Sequence, residues 1–164
     1  MFSHQKMEEQ AMAEAATQDK RGFFILPQGF EGGGYYVYGT PRGGRGQYAH
    51  PKMISVLQKV ACEWCHIDGR KFGIGNISLA NGEFFYPHAT HRNGLQVDIR
   101  TIRKDGRQLP CSRLEAAYDQ EATGKLIKLF LRHPHVDNIR FNDLAITGVR
   151  SLMRHDDHFH VELR

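Results

Sequence analysis

Two short segments alternate apolar and polar residues without a break: Gly94-Leu95-Gln96-Val97-Asp98-Ile99-Arg100 and His158-Phe159-His160-Val161-Glu162-Leu163. A β-strand sends successive side chains to opposite faces, so strict alternation marks a strand buried on one face and polar on the other. Leu95, Val97 and Ile99 then share the buried face of the first strand, leaving Gln96, Asp98 and Arg100 on the opposite one. Phe159, Val161 and Leu163 do the same for the second, and His158, His160 and Glu162 project together from its polar face. In one antiparallel sheet, opposed side chains would stand roughly 4.5–5.5 Å apart at Cβ, close enough to share an ion. His91 precedes the first strand beside Asn93-Gly94, a turn signal that folds it back over Asp98.

Imidazoles and a carboxylate gathered in this way suit a catalytic metal. Two neutral imidazoles and one carboxylate fill three corners of a tetrahedral Zn²⁺ and leave the fourth to a water that the ion acidifies, which points to hydrolysis. Any one of these histidines alone would read as an ordinary surface residue; the joint pattern carries the argument. Non-haem Fe(II) oxygenases also use two histidines and one carboxylate, so ligand types alone leave that class open.

The remaining sequence predicts an α+β fold. Gly29 to Gly46, with Tyr35, Tyr36 and Tyr38, reads as loop and short strand, and contains no phosphate-binding G-x-x-x-x-G-K-[ST] pattern. Pro51 to Trp64 spaces Met53, Val56, Leu57, Val60, Ala61 and Trp64 at helical intervals, with proline in the first turn. A strand around Phe72 to Leu79 follows, then the Asp98 strand, and a helix from about Tyr118 to Leu131 with Ala122, Leu126, Leu129 and Phe130 on its buried stripe. Further strands are expected near Asn138 to Phe141 and Asp157 to Leu163. Helices and antiparallel strands without strict alternation indicate α+β. Residues 1–22 read as an N-terminal appendage, with helix propensity over Glu8 to Gln18, and 23–164 as a single domain.

Composition narrows the function. At 164 residues and a formal charge of +4, the chain has room for one core but not for a separate binding module. Its basic residues are scattered among acidic ones, which fits a solvated surface, argues weakly for an anionic substrate and disfavours nucleic acid. No stretch is apolar enough to span a membrane, and Met1 to Glu9 lacks the apolar core of a signal peptide. Cys62-Glu63-Trp64-Cys65-His66 matches the pattern for covalent c-type haem attachment. It closes the Pro51 to Trp64 helix where packing residues are expected, so free buried thiols are the expectation for Cys62, Cys65 and Cys111, with no haem.

The longer motifs resemble those of the penicillin-insensitive murein endopeptidases, within the LAS metallopeptidases that include lysostaphin, the D-Ala-D-Ala peptidases and the sonic hedgehog fold. The group signature, H-x6-D followed by H-x-H, reads His91 to Asp98 and His158 to His160. The narrower HxxHxxGLxVDIR is matched from His88 to Arg100, and HDDHFHV from His155 to Val161. GYYVYGTPRGG from Gly34, GIGNISLANG from Gly73 and Phe141-Asn142-Asp143 extend the similarity over roughly residues 30 to 164. It departs at Asn76, where many relatives carry an acidic residue, and in the first twenty or so residues.

The resemblance implies a central antiparallel β-sheet with flanking helices and long loops, and one Zn²⁺ per chain on the sheet face. His91, Asp98 and His160 are its implied ligands. His158, two residues from His160 on the same face, is the candidate base or stabiliser of the tetrahedral intermediate. His88 is a further catalytic candidate, as a weak extra ligand or substrate contact, and so is His155, which would orient substrate or bond Asp156. Gln96, Asp143 and Arg100 complete the candidates as substrate-binding residues. The implied substrate is the cross-linked peptide of peptidoglycan, cut at the D-Ala-diaminopimelate bond or an adjoining L,D bond; a zinc-retaining module that only binds cell wall is the non-enzymatic alternative. Such an enzyme would act in the bacterial periplasm, as a trimmed mature form or carried there by a phage or contractile secretion device. That route leaves room for a delivery or immunity protein as partner.

Overall fold

The two alternating segments pair side by side at the centre of the fold. The computed structural model describes residues 18–164, so the helix expected over Glu8 to Gln18 lies, but for Gln18, outside the described residues. In chain order the elements are β1 (Phe24–Ile25), β2 (Tyr35–Val37), β3 (Tyr48–Ala49), α1 (Pro51–Cys65), β4 (Phe72–Ile74), β5 (Gln96–Arg100), α2 (Gln120–Leu131), β6 (Val136–Arg140) and β7 (His158–Leu163). β1 and β3 form a small antiparallel pair, and the other five strands make the main sheet in the order β2-β4-β5-β7-β6. The fold is α+β, as expected.

From β4 to β6 the sheet is antiparallel, and β2 joins its edge parallel to β4. Parallel neighbours need a long crossover, which the α1 segment between β2 and β4 supplies. Val97 and Ile99 of β5 and Phe159, Val161 and Leu163 of β7 are buried, together with Phe72 and Ile74 of β4. β6 keeps to this face through a bulge. Val136 opposes Leu163 and Asn138 opposes Glu162, so Asp137 is the extra residue that lets both Val136 and Ile139 turn inward.

Both helices cover this apolar face. α1 starts with Pro51, and His50 Nδ1 accepts a hydrogen bond from Lys52 N at 3.0 Å, capping a free amide. Its expected stripe, Met53, Val56, Leu57, Val60, Ala61 and Trp64, is buried. The thiols depart from expectation: Cys111 is buried, but Cys62 and Cys65 are exposed. Each sits one position past a stripe residue, Ala61 or Trp64, and about 100° of helical turn per residue carries it round towards solvent. Tyr118 lies before α2 rather than in it, because Asp119 takes the capping position and accepts from Ala122 N at 3.0 Å. Arg70 ties that cap back to the end of α1, donating from Nη1 to Asp119 Oδ2 at 2.8 Å. At the N-terminal side, Asp19 accepts from Asn81 N and Arg21 donates to Ser78 and Leu79, which fastens residues 19–21 to the loop after β4. No helix among the described residues is long and apolar enough to cross a membrane.

Phe130 of α2 is fully buried and meets Phe72 and Phe159 edge-on, with ring centroids 6.2 and 5.9 Å away. Phe130→Ala should therefore cost about 3–5 kcal/mol in urea unfolding, whereas truncation of the exposed Leu114 should cost less than about 0.5 kcal/mol. Equal costs would place the core elsewhere.

Candidate metal centre

Parity puts the polar side chains of β5 and β7 on the face away from the helices, and register decides which of them meet. Asp98 is directly opposite His160, Arg100 opposite His158, and Gln96 opposite Glu162. Asp98 is gripped from its other side as well: Gly75 N donates to Asp98 O at 2.8 Å, and Asp98 N donates to Asn76 O at 3.2 Å. The side chain that matters most thus hangs from a backbone bonded on both edges. His91 reaches it from the turn before β5, where Gly94 adopts a left-handed φ of 72° and a side chain would collide with His50 N.

Four imidazoles converge on Asp98. His160 Nδ1 lies 3.0 Å from Asp98 Oδ1 and His91 Nε2 lies 3.3 Å from the same oxygen. His88 Nδ1 is 3.8 Å from Oδ2, and His158 Nε2 is 3.9 Å from Oδ1. His88, His91 and Asp98 bring one donor atom each within 4.8 Å of one another, a cluster that could hold a metal ion on the sheet. Ligands of a tetrahedral ion with bonds of 2.0–2.1 Å lie about 3.3 Å from one another. The spacing from Asp98 Oδ1 to His91 and His160 matches that separation, and nitrogen with carboxylate oxygen is a donor set suited to zinc. Asp98 is buried, which by itself would raise its pKa, but the contacts with His160 and His91 outweigh this and hold the carboxyl well below the usual range. Burial also pushes His88 and His155 down, so both rings are kept in the neutral form.

Hydrogen bonds fix the orientation of the rings. His91 Nδ1 lies 3.1 Å from Ile77 O, and since a carbonyl only accepts, Nδ1 carries a hydrogen and Nε2 is the atom turned towards Asp98. His158 Nδ1 lies 2.7 Å from Asp157 Oδ1, so Nδ1 carries a hydrogen and Nε2 is the atom facing the cluster. Asn76 works in the opposite sense on His88. Thr40 N donates to Asn76 Oδ1 at 2.7 Å, so Asn76 Nδ2 is the group 2.8 Å from His88 Nε2, and that nitrogen must accept. The hydrogen of His88 is then on Nδ1, the atom nearer Asp98.

The other candidates fall at varying distances from this centre. His155 stacks beside His158 with centroids 4.7 Å apart, and its Nδ1 donates to Met153 O at 2.9 Å. The bond expected between His155 and Asp156 is not made, because Arg113 Nε takes that carboxylate at 2.8 Å. Gln96 continues the polar face beyond Asp98; its Nε2 donates to Glu162 at 3.4 Å and its Oε1 is buried without a partner. Asp143 is occupied by Tyr118 Oη at 2.7 Å, Gln120 Nε2 at 2.8 Å and Ala145 N at 3.2 Å, tying the loop after β6 to the start of α2. Asp157 received no role from the sequence. It stands one residue outside the alternating stretch, where parity is silent, although a carboxylate adjoining a candidate base is itself a signal.

Fold and site together define an α+β domain whose sheet carries, on the face away from the helices, a histidine-aspartate cluster that could hold a metal ion, with His158 beside it. The sequence profile of the penicillin-insensitive murein endopeptidases matches residues 25–141. The chain belongs to this family, which supports peptidoglycan endopeptidase activity. The matched region contains His88, His91 and Asp98 and stops before His155, His158 and His160. No curated protein matches the sequence.

Asp98 is the one residue that touches every ring of the cluster. Asp98→Ala should lose most of its metal on gel filtration, as read by elemental analysis against the unsubstituted protein. Full occupancy in that variant would contradict the site.

Proposed function

We propose that the chain is a zinc endopeptidase that hydrolyses peptide cross-links in peptidoglycan, with one Zn²⁺ held by His91, Asp98 and His160. What carries this reading is Asp98 Oδ1 flanked by His91 Nε2 at 3.3 Å and His160 Nδ1 at 3.0 Å, beside a histidine whose free Nε2 faces them. His88 belongs to the same cluster, yet the hydrogen that Asn76 places on its Nδ1 suits it to donate to substrate rather than to bind an ion. When bound, the zinc would polarise the scissile carbonyl and bring the pKa of a water towards neutrality.

The protein's own groups account for the proton movements. In this scheme His158 Nε2 takes a proton from the attacking water, and Asp157, bonded at Nδ1, stabilises the imidazolium that results. The same nitrogen can then protonate the departing amine, so that one side chain serves both halves of the reaction. His88 Nδ1 offers a hydrogen bond towards the oxygen that gains charge at the carbonyl. His155, packed on His158, limits the swing of that ring. Nothing in this scheme requires an acylated serine, so β-lactams should not inactivate it.

Three variants separate these roles. His160→Ala should lose zinc, His88→Ala should keep it, and His158→Ala should keep it while turnover falls on the order of 10²–10⁴-fold. Retention of zinc by the His160 variant together with loss from the His88 variant would exchange their assignments. Digestion of purified sacculi tests the activity itself. Cross-linked dimers should become monomers, in the presence of penicillin but not of a chelator, with glycan strands left intact. Protein that adheres to sacculi without releasing any muropeptide would instead indicate a binding module.

A further inference from the structure

Beside the His158 edge of the metal centre the sheet carries a second feature, a groove of about 530 Å³ lined by Tyr36, Tyr38, Thr40, Arg42, Arg100 and Gln108 among others. Its floor follows from a pairing of aromatic residues with glycines. Tyr36 and Tyr38 alternate onto the polar face at the edge of the sheet, and Gly73 and Gly75 occupy that face on the neighbouring strand. A Cβ at Gly73 would come within 2.7 Å of the Tyr36 ring, and one at Gly75 within 2.5 Å of the Tyr38 ring. The glycines thus let both rings lie down across β4 towards β5. There the Arg100 guanidinium stacks on Tyr38, 3.9 Å from the ring centre.

Stacking holds the guanidinium flat and leaves its in-plane N–H groups directed into the groove. Among the described residues only one of them has a protein partner, the Gln108 carbonyl at 3.4 Å. No carboxylate among the described residues lies within 4.0 Å of Arg100, and none lines the groove, which Arg42 makes more positive still. A half-buried, oriented and unpaired guanidinium suits a planar anion bound through two parallel hydrogen bonds. Its position relative to the chemistry is also fixed: Arg100 is the cross-strand partner of His158 and lies two residues from Asp98 on the same face. Thr40 connects the groove to the cluster through Asn76 and His88.

We propose that this groove is a carboxylate subsite on the leaving-group side of the scissile bond, with Arg100 as its ligand and Tyr38 as the residue that positions Arg100. This rests on the endopeptidase reading above, in which His158 protonates the departing amine. In a D-Ala-diaminopimelate cross-link that amine is borne by a carbon that also carries a free carboxylate. With the amine at His158, the carboxylate falls at the partner of His158 across the sheet. The subsite therefore selects substrates whose leaving amine adjoins a carboxylate over those in which that group is blocked.

Two synthetic cross-linked peptides test this, identical except that the carboxylate next to the scissile amide is free in one and amidated in the other. Zinc-loaded wild-type protein should cleave the free acid with kcat/KM about 10- to 100-fold higher, the range for one charge-assisted hydrogen-bonding group. In Arg100→Gln that ratio should fall towards one, and Arg100→Lys, which keeps the charge but not the planar fork, should give an intermediate value. Equal cleavage of the two peptides by the wild type, or an undiminished ratio in Arg100→Gln, overturns the subsite while leaving the peptidase intact. The wild-type comparison needs no variant to fold. Cleavage of neither peptide by the wild type rejects the endopeptidase reading, and the subsite with it.

Discussion

Every feature of the site depends on the register between β5 and β7. With Asp98 opposite His160, the carboxylate and the imidazole meet at 3.0 Å on the face away from the helices, while Val97, Ile99, Phe159 and Val161 pack beneath the helices. A slip of one residue would send the apolar set to solvent and the ionisable set into the core, so the energy of the core holds the site in place. The same register sets His158 beside Arg100, one step along the face from Asp98, and so aligns the histidine-aspartate cluster, His158 and the groove.

The surroundings of Asp98 show how a buried charge is made tolerable. Burial disfavours the carboxylate, yet two ring nitrogens within 3.3 Å reverse the balance and keep it ionised. The rings are in turn oriented from outside, His91 by the Ile77 carbonyl, His158 by Asp157 and His88 by Asn76. Each of these partners fixes which ring nitrogen is turned towards the cluster. The chemistry available to the cluster is thus decided one layer away from it.

Much of this was legible in the sequence because two physical periodicities are visible there. Alternation identified β5 and β7, their buried faces and the shared face of Asp98, His158 and His160; helical spacing identified the stripe of α1 from Met53 to Trp64. Local patterns could not show contacts between distant segments. The turn of Thr40 onto Asn76, the tyrosines lying over Gly73 and Gly75, and the capture of Asp156 by Arg113 all depend on pairings that no short window contains. The exposure of Cys62 and Cys65 departs from the sequence expectation for a different reason. A cysteine is apolar enough to suggest burial, and at the end of α1 one step of rotation separates the core from solvent.

In the proposed site β5 and β7 hold a metal ion together, with one ligand from each strand and a third from the turn before β5. A crystal structure of the zinc-loaded protein, with the ion located by anomalous scattering at the zinc edge, tests it most directly. The expected result is a single strong peak bonded to His91 Nε2, an Asp98 oxygen and His160 Nδ1, with His158 Nε2 close by and unbound. A peak bonded to His88 while His160 stays free, or an ion away from Asp98 altogether, would contradict it.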